Sequence, residues 1–69
     1  MDANMTTEDV AHRLAAIHAA RHDDEVAHGL ADALYRDVLA AIAAGAADAP
    51  ILASAALRTE TIDFDRWCA

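Results

Sequence analysis

In the stretch MTTEDVAHRLAAIHAARH the large apolar residues Val10, Leu14 and Ile17 fall at spacings of four and three. In HDDEVAHGLADALYRDVLAAIAAG, Val26, Leu30, Leu34 and Val38 follow one another every four residues. Side chains three and four apart share one face of an α-helix, whereas a half-buried strand needs alternation in twos. No strand-like alternation longer than a few residues occurs, and neither an internal repeat nor a low-complexity linker interrupts the pattern. The expected fold class is all-α, a small three-helix bundle.

Local signals place the helices near residues 7–21, 24–44 and 49–58. Thr6 can cap the first, with Asp9 three residues on in the acidic place of a capping box and Met5 and Val10 set for a hydrophobic staple. Ala11 and Ala15 widen its apolar stripe. Asp23 or Asp24 can cap the second helix, with Glu25 in the first turn. Tyr35, Leu39 and Ile42 broaden its apolar face, and Gly45 is a natural stop. A break at His22-Asp23-Asp24 is expected, although no Gly or Pro separates the two helices and one long helix is the alternative. Asp48-Ala49-Pro50 opens the third helix, whose Ile51, Leu52, Ala55, Ala56 and Leu57 are expected to face the core.

With 69 residues the chain has room for one domain, 1–69, and so short a chain gains from any additional apolar burial. Its single cysteine, Cys68, provides no intramolecular disulfide and suits a reducing, cytoplasmic compartment. The acidic start is unlike a secretory signal, and no segment is apolar enough to span a bilayer. Twelve acidic residues against five basic ones, all Arg, leave a formal charge of -7. That balance repels a phosphate backbone, so direct nucleic-acid binding is not expected, nor is a membrane or small-molecule partner evident. The acids keep an apolar chain soluble, or equip it to meet a basic protein.

The ending TETIDFDRWCA holds the only Phe and the only Trp. Each can bury roughly 150–250 Å². Alanine-rich helices bury little area apiece, so Ile62, Phe64 and Trp67 are expected to form a segment that packs across the bundle. Asp63 is placed to cap a last turn, and removal of residues 62–69 is expected to unfold or aggregate the chain. The alternative use of Phe64, Arg66 and Trp67 is as exposed anchors for a partner. The ending I-D-F-D-R-W-C-A, preceded by a helix of the A-L-Y-R-D-V-L-A-A-I-A-A-G kind, resembles small helical proteins of actinobacteria and of tailed phages with GC-rich genomes. The similarity covers residues 23–69. It implies no activity, and no catalytic residue comes with it.

Of the side chains that could carry chemistry, His18 and His22 stand four apart and would share a face on a continuous helix, where Asp23 or Glu25 could complete a metal site. No thiolate lies near them in sequence, and the expectation is no metal and no cofactor. Cys68 stands far in sequence from every His, and the acid pairs at helix starts are what capping and the helix dipole favour, so no catalytic residue is expected. Asp9 with Arg13 and Asp32 with Arg36 have the spacing of surface ion pairs. Gly29, inside the second helix, costs about 1 kcal/mol relative to Ala unless a second helix approaches closely there.

The expected function is therefore non-enzymatic: a small protein-interaction module forming a homodimer or binding a larger protein through Gly29, Leu30, Ala33, Phe64, Arg66 and Trp67. One alternative is a phage-borne acidic inhibitor of a host nucleic-acid-binding machine, of the anti-CRISPR or another counter-defence type, with a continuous acidic face from Asp23, Asp24, Glu25, Asp32 and Asp37. Another is a metal-binding protein using His18 and His22.

Overall fold

The computed structural model describes residues 5–64. Three helices, α1 (Thr7–Ala19), α2 (Asp24–Ala43) and α3 (Ala49–Ala56), run in that order, and a 3-10 helix, Leu57–Thr61, follows the last directly. The fold is all-α, with no strand among the described residues. Every α-helix packs on the other two, and the 3-10 helix touches both α3 and α1. A helix of 20 residues spans about 30 Å, so α2 accounts for most of the 33 Å long axis of the molecule. No helix among the described residues is long and apolar enough to cross a membrane.

The start of α1 is the expected capping box. The Thr6 hydroxyl accepts from the Asp9 amide at 3.2 Å, and the Asp9 carboxylate accepts from the Thr6 amide at 2.9 Å. Those bonds from Thr6 hold the Asp9 carboxyl below its usual range. Met5 and Val10, on either side of the cap, both join the core.

The chain does break between α1 and α2, but α1 stops at Ala19, two residues short of the expected end. Arg21 shows why. Its guanidinium donates to the His18 carbonyl at 2.8 Å, satisfying an acceptor that another helical turn would have used. Asp23 then caps α2, its carboxylate accepting from the Val26 amide at 3.2 Å.

The end of α2 is a Schellman motif. Gly45 adopts φ +98°, its amide donates to the Ile42 carbonyl at 3.0 Å, and the Ala46 amide donates to Ala41 at 3.0 Å. At α3, Pro50 occupies the first turn as expected, but Asp48 makes no side-chain cap bond; its carbonyl instead accepts from the Leu52 amide at 2.8 Å. The expected helix to residue 58 tightens after Ala56 into the 3-10 turns.

The core is built from Val10 and Ile17 of α1; Ala27, Ala31, Leu34 and Val38 of α2; Leu52, Ala55 and Ala56 of α3; and Ile62 and Phe64 beyond the 3-10 helix. Two expectations change. Alanines 27, 31 and 41 lie buried on α2 while Val26 and Leu39 are exposed, because small side chains let the neighbouring helices come close to that face. On α3 only Leu52, Ala55 and Ala56 are buried. Ile51 points to the flank, and Leu57, where the helix tightens, is turned outward. The backbone is extended at Ile62, which sends Ile62 and Phe64 inward and Asp63 outward, as the alternation in TIDF predicts. One buried polar group belongs to this layer: Thr59, fully shielded, shares a hydrogen bond with the Tyr35 hydroxyl and ties the 3-10 helix to α2.

Candidate interaction surfaces

The surface residues expected on α2 divide between two environments. Gly29 and Ala33 are exposed, four residues apart on the outer side of the helix, whereas Leu30 is half-buried against the core. A Cβ built on Gly29 meets nothing within 4 Å, so no close helix approach among the described residues explains this glycine. Phe64 is 8% exposed and its ring belongs to the core, so it presents no exposed anchor. Arg66, Trp67 and Cys68, with the last turn that Asp63 was expected to cap, lie outside the described residues.

The ion pairs differ from those that helical spacing predicts. Arg13 reaches across to Asp37 of α2 at 3.0 Å instead of back to Asp9, whose carboxylate already accepts from the Thr6 amide. The Asp32 carboxylate lies 3.4 Å from His28 Nδ1, in the preceding turn, rather than pairing with Arg36. The Arg13–Asp37 pair is partly solvated and contributes about 0.2–1 kcal/mol at most. Because Arg13 neutralises Asp37, the expected acidic face is reduced to Asp23, Asp24, Glu25 and Asp32, all exposed.

The two histidines do not share a helix. His18 sits in the last turn of α1, and His22 lies beyond its end in the connection to α2. The Arg21 guanidinium stands 3.1 Å from His18 Nδ1, and since an Arg can only donate, that nitrogen is the acceptor. Among the described residues no three His, Cys, Asp or Glu side chains cluster so as to hold a metal.

A feature that spacing did not single out lies between α1 and α3. A groove of about 580 Å³ runs there, walled by Glu8, Ala11 and Leu14 on one side and Ile51, Ala55 and Arg58 on the other. Each wall is a stripe of helical period, so its two halves were legible separately; their meeting depends on how α3 folds back on α1. Ile51 stands on the rim, 56% exposed. Neither Glu8 nor Arg58 has an ion-pair partner among the described residues.

No family model, no curated protein and no solved structure matches the chain.

Proposed function

We propose that this chain is a non-enzymatic helical interaction module that associates with a second copy or with a larger protein, and that residues 62–69 close the bundle so that such surfaces stay in place. The observation that carries the reading is the number of large apolar side chains left outside a small core: Val26 at 47%, Leu39 at 65%, Ile51 at 56% and Leu57 at 55% exposure. Scattered apolar residues are ordinary on a large protein, but a chain this short has little core to offset them and gains from covering them. The outer side of α2, with Gly29 and Ala33 beside Val26, is one surface open to a partner. Burial of Ile62 and Phe64 supports the closing role of the tail.

Thermal melts over a hundredfold range of concentration test the reading. Self-association raises Tm with concentration by mass action. Apolar association also persists at high salt. The acidic-inhibitor reading makes a different prediction: a Tm independent of concentration, together with binding to a basic polypeptide that salt abolishes.

A further inference from the structure

From the groove between α1 and α3 we infer a self-complementary dimer site, in which two copies of this chain pair about a two-fold axis with their grooves facing. The inference rests on the interaction-module reading and names both its partner and its surface.

Charge comes first. The molecule carries a formal charge of -7, so most surfaces repel a second copy. The groove is different: it contributes one acid, Glu8, and one base, Arg58, and its remaining walls are Thr7, Ala11, Leu14, Ile51, Ser54 and Ala55. Its net charge is therefore zero. A two-fold axis brings residue i of one copy to residue j of the other and j to i. An axis that sets Glu8 of each copy opposite Arg58 of the other gives two ion pairs from groups that have no ion-pair partner among the described residues.

Shape agrees with charge. Ile51 is a large, half-exposed side chain on the rim, and the opposing groove offers it small and apolar wall residues, Ala11, Leu14 and Ala55. The same operation seats Ile51 of the second copy in the first. An unrelated partner must supply a base for Glu8, an acid for Arg58 and an apolar side chain for the groove; a second copy carries all three.

Charge reversal followed by mixing tests this directly. Glu8→Arg and Arg58→Glu are each made in the full chain, together with the double variant, and dimer dissociation is measured by sedimentation equilibrium. Glu8 and Arg58 are both exposed, and circular-dichroism melts verify that each variant folds. The wild type is expected to dimerise. Each single variant places like charges opposite one another twice and weakens its homodimer about tenfold or more. An equimolar mixture of the two single variants restores both pairs and regains the dimer, as does the double variant alone. A wild-type chain that stays monomeric overturns the inference while leaving binding to a larger partner intact. Dimerisation that neither single variant weakens assigns the contact to another surface and overturns it equally. Recovery in the double variant without recovery in the mixture would place the pair within one chain, which also contradicts the site.

Discussion

Gly29 and Gly45 occupy positions that ask opposite things of a side chain. At Gly45 the backbone φ of +98° closes the end of α2, and an L-residue there is strained by about 1–2 kcal/mol. At Gly29 the backbone is helical and a Cβ meets open space, so alanine removes the conformational cost of glycine, about 1 kcal/mol. Chemical denaturation should accordingly show Gly45→Ala destabilised and Gly29→Ala stabilised. If Gly29→Ala instead loses stability in proportion to lost association, a second helix does approach at that point. Asp9 adds a pH dependence. Its hydrogen-bonded carboxylate is held below the usual range, so the native state favours the ionised form. The stabilisation is complete above the ordinary carboxylate pKa and declines as pH falls through that value toward the lowered native one. Asp9→Asn should flatten this part of the acid-stability curve; an unchanged curve would remove Asp9 from the account. The capping box was legible because Thr6 and Asp9 are three residues apart and need only each other. The pairing of Arg13 was not, because its long side chain chose between a neighbour already engaged and an acid on another helix.

The helices themselves were legible to within a few residues, since capping, apolar period and stop signals agree along each. Which face of each helix is buried was less so. Large apolar residues mark a face by their size, but α2 buries Ala27, Ala31 and Ala41, and an alanine is compatible with either side. The short α3 buries residues 52, 55 and 56, and the tightening at Leu57 turns the next apolar residue outward. The Tyr35–Thr59 bond belongs to this scale too. It links residues 24 apart in sequence, and no local pattern announces it. Tyr35→Phe keeps the ring and removes the hydroxyl, with an expected loss of about 1 kcal/mol. A double-mutant cycle with Thr59→Val should return a coupling of similar size, and a coupling near zero would reduce the contact to simple proximity.

On the scale of the whole molecule, three helices share one small core with Ile62 and Phe64, so losing any wall has a large effect. Marginal stability of roughly 0.05–0.15 kcal/mol per residue leaves little reserve in a 69-residue chain. Deleting residues 62–69 removes Ile62 and Phe64 from the core, and the shortened chain is expected to lose its cooperative melt; a full transition in the deletion variant would contradict the closing role of the tail. The same smallness underlies the functional account, in which apolar side chains that the core cannot enclose are covered by association. Solution mass by size-exclusion chromatography with light scattering, followed over a hundredfold range of concentration, measures that association most directly. With self-association, the mass rises with concentration toward twice the 7.3 kDa of one chain. A folded chain that keeps the mass of one copy throughout would contradict self-association.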